Sequence, residues 1–320
     1  MLWVILFFVG GVLHGVFLRL RKKERKLLKF EASLFPILYL FLFIVGYSVG
    51  SNPNVMSKLG WLSLEAVVLA FSGLLGSLLL APLATRIVRK NKSLDDSLFQ
   101  NRRAQNRALV QEQGQTPPER DGIRASLLIL ISFFVGIMLG HMPSILPPCD
   151  VRFAQLGVLY ALMWVAGISS GGDRSAFHTL RKVHPVILVL PLFIVIGTLA
   201  GTAITSRLFL TVSPSQAMGV GAGMGYYSLS CALITSKVGA SLGAIALLAN
   251  LIREVVTIGC APLIVRFFGP FGLLAAGATT TCTSSLPSVI LCAGKRFTFL
   301  AVLNGIILSI AVPLLILMIL

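Results

Sequence analysis

The sequence LLANLIREVVTIGCAP, residues 247–262, places three polar side chains, Asn250, Arg253 and Glu254, in an apolar run of the kind that crosses a membrane. Ionisable groups at bilayer depth cost roughly 2.5–3.5 kcal/mol each on insertion scales, so they are rarely accidental. Adjacent helix positions point about 100° apart, which turns Arg253 and Glu254 away from each other. The stretch therefore predicts Glu254 as the functional centre. The structural alternative is an internal ion pair between Glu254 and Arg253.

The composition of the chain is that of a membrane protein. Hydrophobic residues make up 56% of the 320 residues and charged residues 12%, which excludes a soluble globular domain. The net charge of +16 comes from basic residues between apolar runs, so it indicates topology and no nucleic-acid partner. The five cysteines lack CxxC spacing, and we expect no disulfide framework, metal site or cofactor. The sequence thus predicts an all-α polytopic membrane protein.

Basic clusters orient the predicted spans. The densest cluster, residues 19–29, follows the first apolar run and belongs in the cytoplasm by the positive-inside rule, so that run is a span and not a leader. The clusters at residues 86–92 and 174–182 belong on the same side. Both termini are then expected outside, on the side of the membrane opposite the cytoplasm. Residues 89–124 are polar and contain two prolines, which predicts a cytoplasmic linker.

The first part of the chain contains an internal repeat. Two pairs of segments match at an offset of 121 residues: VGYSVG, residues 45–50, with AGISSG, residues 166–171, and Gly76-Ser77 with Gly197-Thr198. They divide the chain into two three-helix units, residues 1–88 and 125–210. Three crossings per unit is an odd number, so the second unit is inverted, as in many secondary transporters. The alternative is that membrane helices share glycine and serine by composition alone.

The last third carries two stretches that are poor in helix formers, GVGAGMGYYSLS at residues 219–230 and GATTTCTSSLP at residues 277–287. Glycine costs about 1 kcal/mol in a helix interior, and serine and threonine bond their own backbone, so both stretches are predicted to be broken within the membrane. Residues 211–268 and 269–320 then each hold one broken segment and one helix. Eight spans plus two re-entrant hairpins is the favoured scheme, and ten spans is the alternative.

Four motifs carry a resemblance to a known family: GYYSLS at residues 225–230, NLIRE at 250–254, GAT at 277–279 leading to Leu286-Pro287, and NGIILS at 304–309 with Pro313. They resemble the LysO lysine exporters over nearly the whole chain except residues 89–124. The resemblance implies an inner-membrane exporter of L-lysine and its toxic analogue thialysine that needs intramembrane acids, of which Glu254 looks like one. Two departures stand out: residues 280–284 lack the family's aspartate, and Asn52 stands where an acid is expected, whereas its repeat partner is Asp173.

The predicted site combines polar side chains from these segments. We expect substrate or ion to bind Glu254, Arg253, Asn250, Tyr226, Tyr227, Ser228, Ser230, Thr279, Thr281, Thr283, Ser285 and Asn304, with Glu65, Asn52 and Asp173 as further candidates. Glu254 would bind an ammonium group or a proton, and Arg253 would hold a carboxylate or close a gate. The two asparagines are equally suited to bond the loosened backbone. The further acids lie near helix ends, where water alone also accounts for them.

Together with the resemblance, these observations predict secondary active export of L-lysine, coupled to proton or sodium antiport, because the chain has no ATP-binding motif. The alternative is an ion-coupled transporter of another small organic solute, including organic anions. No enzyme is predicted, because the four histidines lie in loops or near helix ends and are not paired inside the membrane. The expected partners are the small substrate and the lipid bilayer, with a homodimer as a further option.

Overall fold

In the computed structural model of the chain, every regular element of the described residues is helical. The structure describes residues 2–21, 27, 29–30, 32–51, 61–90, 119–142, 152–172, 188–209 and 211–320. Six helices in this part of the chain are long and apolar enough to cross a membrane, and three shorter apolar helices accompany them. The prediction of an all-α polytopic membrane protein is thereby confirmed.

The helices fall into two groups along the chain. The first group is α1 (Leu2–Leu20), α2 (Leu34–Gly50), α3 (Trp61–Lys90), α4 (Glu119–His141), α5 (Arg152–Gly172) and α6 (Val189–Phe209). The second group is α7 (Pro214–Gly221), α8 (Tyr227–Lys237), α9 (Ala240–Gly259), α10 (Ala261–Gly277), the 3-10 helix Ala278–Cys282, α11 (Leu286–Ser288) with the π-helical turn Val289–Ala293, the 3-10 helix Lys295–Phe297, and α12 (Thr298–Ile319).

Two observed helix boundaries were not predicted from the sequence. Helix α3 runs to Lys90 and α4 begins at Glu119, so helical structure enters both ends of the predicted linker at residues 89–124. The remainder of that linker lies outside the described residues. Helix α9 ends at Gly259, and a separate helix begins two residues later with Pro262 in its first turn, where a proline fits because its missing N–H is not needed.

Three pairs of helices in the first group touch backbone to backbone. A Cβ added to Gly46 of α2 would lie 2.2 Å from the carbonyl oxygen of Phe133 in α4. A Cβ added to Gly76 of α3 would lie 2.0 Å from the carbonyl oxygen of Gly197 in α6, and Gly11 brings α1 equally close to α5. Small residues at such positions let membrane helices approach closely. The first six helices therefore form the pairs α1–α5, α2–α4 and α3–α6.

Contacts along α9 fix its direction. Arg253 hydrogen-bonds to Ser77 of α3, whereas Asn250, one turn earlier in α9, shares a small cavity with Gly73, one turn earlier in α3. Helix α9 therefore runs parallel to α3, which it contacts along with α8 and α10. The glycine contacts run in opposite order along α3 and α6, so α6 is antiparallel to both.

Besides a kink at Gly269 (φ 74°) inside α10, two helical segments of the second group are interrupted. Helix α7 begins with a capping box, in which the Ser213 hydroxyl and the Gln216 side chain each accept from the other's backbone N–H. It ends at Gly221, and left-handed conformations at Met224 (φ 46°) and Gly225 (φ 95°) separate it from α8. Helix α10 ends at Gly277 in the same manner, with Ala278 at φ 45°. The breaks fall within the two stretches that the sequence marks as poor in helix formers.

Candidate functional site

The two interruptions meet each other. The carbonyl oxygen of Met224 in the first break accepts hydrogen bonds from the Thr279 backbone N–H at 3.2 Å and from the Thr279 hydroxyl at 2.7 Å. A Cβ added to Gly225 would lie 2.9 Å from the methyl carbon of Thr280, so only glycine allows this approach. Backbone groups that have lost their helical partners therefore face one another at a single point. We name residues 222–226 the first break and residues 278–285 the second break.

Asn250 of α9 holds the first break. Its Oδ1 accepts from the Gly225 N–H at 2.8 Å, and its Nδ2 lies 3.1 Å from the carbonyl oxygen of Val220 and 3.4 Å from the Ser230 hydroxyl. Nδ2 also reaches the Ala246 carbonyl of its own helix at 2.9 Å. The side chain is buried, and both of its polar atoms have protein partners. Asn250 is therefore a backbone clamp on the first break.

Asn304 of α12 occupies the corresponding place at the second break. Its Nδ2 lies 3.3 Å from both the carbonyl oxygen of Ala278 and the hydroxyl of Thr281. The Thr281 hydroxyl is also 2.8 Å from the carbonyl oxygen of Ala301 in α12. In contrast with Asn250, the buried Oδ1 of Asn304 has no hydrogen-bond partner among the described residues.

Glu254 is buried on α9 beside the second break. Its carboxylate accepts a hydrogen bond from the hydroxyl of Ser284. Tyr227, at the start of α8, lies within electrostatic range of Glu254, and its hydroxyl hydrogen-bonds with Gln155 of α5. Among the buried polar residues of the described part of the chain, Glu254 is the single carboxylate.

Arg253 satisfies its charge without Glu254. Its Nε donates to the carbonyl oxygen of Ala276 at 3.0 Å, and Nη2 donates to that of Ala275 at 3.0 Å. These carbonyls belong to the last turn of α10, where the helix dipole is negative. Nη2 and Nη1 also donate to the hydroxyls of Ser77 in α3 and Thr198 in α6, both at 3.2 Å. The charge of Arg253 is thus balanced by partners other than Glu254, which disfavours the alternative of an Arg253–Glu254 ion pair.

A small cavity lies beside Arg253. It has room for about one water molecule and is lined by Gly73 of α3, Thr198 of α6, Gly221 of α7, and Asn250 and Arg253 of α9, among others. Four of the five guanidinium N–H groups already have protein acceptors, so one remains for a molecule in this cavity.

The remaining predicted residues are spread around this centre. Ser230 and Thr279 lie in the contacts just described; Ser285 shares a hydrogen bond with Thr280, Tyr226 and Thr283 are half-buried, and Ser228 is exposed. Glu65 lies apart, at the start of α3, where it accepts from the hydroxyl and the N–H of Thr211. Asn52 and Asp173 lie outside the described residues.

Three contributing residues were not predicted: Ser284 as the partner of Glu254, and Ser77 and Thr198 as partners of Arg253. The signal for the last two was present in the predicted repeat, because Gly76-Ser77 and Gly197-Thr198 match at an offset of 121 residues. In the structure, the hydroxyl next to each of these close-packing glycines accepts a hydrogen bond from Arg253.

Long apolar helices around two interrupted segments, with a buried carboxylate where they meet, define a polytopic membrane protein organised like a transporter. Comparison with known proteins agrees. The family described as lysine exporter LysO matches residues 5–98 and 128–320, and the chain belongs to that family. The resemblance seen in the four sequence motifs is thus confirmed.

Two individual relatives are each less than 30% identical to this chain. A putative lysine exporter of Haemophilus influenzae is 25% identical over 195 residues, which cover 58% of this chain and 94% of that protein. The lysine exporter LysO of Escherichia coli is 29% identical over 160 residues, 49% of this chain and 52% of that protein, so the match spans about half of its length. No solved structure shows a significant match.

Proposed function

We propose that this protein exports L-lysine and its analogue thialysine across the bacterial inner membrane, in exchange for an inward-moving proton or sodium ion. The observation that carries the proposal is Glu254, a buried carboxylate whose only hydrogen bond among the described residues comes from the hydroxyl of Ser284. An unpaired buried charge costs several kcal/mol. A cation that enters the site, either an ammonium group or a proton, removes that cost.

Arg253 supports a cationic cargo because it leaves Glu254 unneutralised. Its charge is balanced by two carbonyls at the negative end of α10 and by two hydroxyls. The ε-ammonium of lysine can therefore bind Glu254 without displacing an internal partner. An organic anion would instead meet an uncompensated carboxylate, which disfavours the alternative cargo.

The helix pairs support an inverted repeat of residues 1–88 and 125–210. In such a repeat, α1 corresponds to α4, α2 to α5 and α3 to α6. The contact between α1 and α5 then corresponds to the contact between α4 and α2, and the contact between α3 and α6 corresponds to itself. The glycines obey the same exchange: Gly46 lies against the Phe133 carbonyl of α4, and its repeat partner Gly167 lies against the Phe8 carbonyl of α1. Such symmetry allows one site to be exposed to either side in turn.

Helix directions support two re-entrant hairpins, and so eight spans. Helix α6 ends where the parallel helices α3 and α9 begin, so the segment α7–α8 enters and leaves at that one end. The second segment follows the opposite end of α9. At that end, a Cβ on Gly272 of α10 would lie 3.6 Å from the side chain of Leu78, which follows Ser77 in α3. The π-helical turn at residues 289–293 packs back against α10. With the basic clusters inside, both termini are periplasmic.

Transport by vesicles tests the proposal directly. Right-side-out membrane vesicles that contain the protein are loaded with radiolabelled lysine, leucine or glutamate, and an inward proton or sodium gradient is then imposed. We expect one of the two gradients to accelerate lysine efflux, while leucine and glutamate efflux matches that of vesicles lacking the protein. Gradient-driven efflux of glutamate with no effect on lysine would overturn the proposal in favour of an anion transporter.

A further inference from the structure

The guanidinium of Arg253 has one hydrogen that no described residue accepts. Nε and Nη2 donate all three of their hydrogens, two to carbonyls of α10 and one to Ser77. Nη1 donates one hydrogen to the Thr198 hydroxyl at 3.2 Å, so the fifth hydrogen is on Nη1. A Cβ added to Gly73 would lie 3.7 Å from Nη1, and Gly73 lines the small cavity beside Arg253. The remaining hydrogen therefore belongs to the nitrogen next to this cavity.

The hydroxyls of Ser77 and Thr198 both accept from Arg253, but their own hydrogens differ. The Ser77 hydroxyl donates to the Leu74 carbonyl of its own helix at 2.8 Å. The Thr198 hydroxyl has no acceptor for its hydrogen among the described residues. Thr198 lines the cavity, and Ser77 does not. Two buried donors, Arg253 Nη1 and the Thr198 hydroxyl, thus lie 3.2 Å apart beside the cavity, each with one hydrogen to donate.

Two other residues that line the cavity keep acceptor capacity. Among the described residues, Oδ1 of Asn250 accepts only the Gly225 N–H, and the carbonyl oxygen of Gly221 accepts only the Met224 N–H. Each of these oxygens has a second lone pair. A molecule in the cavity therefore has two donors and two acceptors around it, which is the hydrogen-bonding pattern that a buried water molecule needs.

Size and charge exclude other ligands. The cavity has room for about one water molecule, so the carboxylate of an amino acid does not fit. A metal cation would lie against the Arg253 guanidinium, and like charges repel. A halide ion could accept from both donors, but it is larger than water and would face the lone pairs of Asn250 and Gly221. A neutral molecule of the size of water suits the cavity.

We propose that this cavity binds one ordered water molecule, which accepts from Arg253 Nη1 and the Thr198 hydroxyl and donates to Asn250 Oδ1 and the Gly221 carbonyl oxygen. Asn250 clamps the first break, and Arg253 holds the last turn of α10, which leads into the second break. The water therefore joins the two interrupted segments through hydrogen bonds. It also takes the last N–H of Arg253, so a cargo carboxylate has no donor left there. The water site does not depend on which solute or ion is transported.

Radiolytic labelling of the purified protein tests for the water. A short X-ray pulse converts bound water into hydroxyl radicals, which oxidise the side chains that touch it, and mass spectrometry measures the rate of oxidation. Leu69 lines the cavity and is 2% exposed, whereas Leu78 of the same helix is also 2% exposed and does not line it. We expect Leu69 to be oxidised several-fold faster than Leu78. Equal rates would mean that the cavity is dry and would overturn the proposal.

A substitution at Gly73 locates the water. In Gly73→Ala the added methyl group takes up space beside Nη1, so the oxidation of Leu69 should slow to the rate of Leu78. Fast oxidation of Leu69 in a folded Gly73→Ala protein would place the water elsewhere and contradict the proposal. A wild-type melting temperature that differs between chloride and gluconate at equal ionic strength would contradict it too, because the ligand would then be an anion.

Thermal stability gives a second readout with a defined sign. Expulsion of the water leaves two buried donors unpaired, so Gly73→Ala should lower the melting temperature by several degrees, whereas filling an empty cavity would raise it. Gly73→Ser has the same Cβ and adds an oxygen that can accept from Nη1, so it should melt above Gly73→Ala. Gly157→Ala is the control for the backbone effect, because a Cβ on Gly157 of α5 meets nothing within 4 Å. A Gly73→Ala protein that melts above both the wild type and Gly157→Ala would overturn the bound water.

Discussion

The two adjacent charged residues of α9, Arg253 and Glu254, have different surroundings. Arg253 makes four hydrogen bonds to atoms of three other helices, whereas Glu254 has a single hydroxyl partner among the described residues. Both side chains are almost fully buried, at 3% and 6% exposure, so solvent does not explain the difference. A charge whose hydrogen-bonding groups are nearly all taken by protein partners stabilises the fold, and a carboxylate with a single partner keeps acceptor capacity for a ligand. The comparison supports a structural role for Arg253 and the proposed transport role for Glu254.

The largest effect is expected from Glu254→Gln. The amide keeps the size of the side chain but removes the charge that would bind an ammonium group or a proton. Cells that carry this variant should lose lysine export and thialysine resistance at normal membrane abundance, and Glu254→Asp should retain part of both. Glu65→Gln is the matched control, because Glu65 bonds only Thr211 at the start of α3 among the described residues. Normal thialysine resistance in Glu254→Gln would show that Glu254 is not part of the binding site.

The next effect is on the amount of folded protein. Arg253→Gln leaves two carbonyls and two hydroxyls short of a charged donor, which should cost roughly 3–5 kcal/mol of stability. Membrane abundance and melting temperature should both fall. Because Arg253 and Glu254 share no bond, the stability changes of Arg253→Gln and Glu254→Gln should add in the double variant. A double variant that is more stable than the sum of the two single variants predicts would mean that the two charges do interact.

A smaller effect is expected on the transport side. Ser284→Ala removes the hydroxyl that orients the Glu254 carboxylate, and a hydrogen bond to a charged group contributes about 1.5–3 kcal/mol. The apparent KM for lysine in vesicles should therefore rise by roughly tenfold or more, with little change in abundance. Thr283→Ala is the control, because among the described residues the Thr283 hydroxyl bonds only the Thr280 carbonyl. An unchanged KM for lysine in Ser284→Ala would contradict binding of the cargo by Glu254.

The smallest effect is expected on the structural side. Ser77→Ala and Thr198→Val each remove one acceptor of the Arg253 guanidinium, at a cost of about 1 kcal/mol. Melting temperatures should fall by a few degrees and by similar amounts in the two variants, because each loses one hydrogen bond of the same length to Arg253. The KM for lysine should stay constant. A large change in KM with no loss of stability would place Arg253 in the cargo site.

The sequence predicted the features that depend on local chemistry. Membrane spans, the two breaks and the family follow from apolar runs, glycine clusters and short motifs, and the separation of Arg253 from Glu254 follows from helix geometry. The partners of Arg253 could not be found this way, because Ser77 and Thr198 lie 176 and 55 residues away. Within residues 279–285, the predicted binding residues were every second one, namely Thr279, Thr281, Thr283 and Ser285. That stretch starts as a 3-10 helix and continues as a turn, and Ser284 is the residue that reaches Glu254.

Cys282 of the second break offers a chemical record of motion at this point. Its thiol is 1% exposed and lies 3.2 Å from the Thr279 carbonyl oxygen, and a Cβ on Gly305 would lie 2.6 Å from the Cys282 backbone nitrogen. An alkylating reagent can reach this sulfur only when the second break separates from α12. In a protein whose other four cysteines are replaced by serine, the rate at which iodoacetamide modifies Cys282 therefore measures how often the second break separates from α12. A labelling rate that changes on adding lysine would show that opening of the second break is part of the transport cycle.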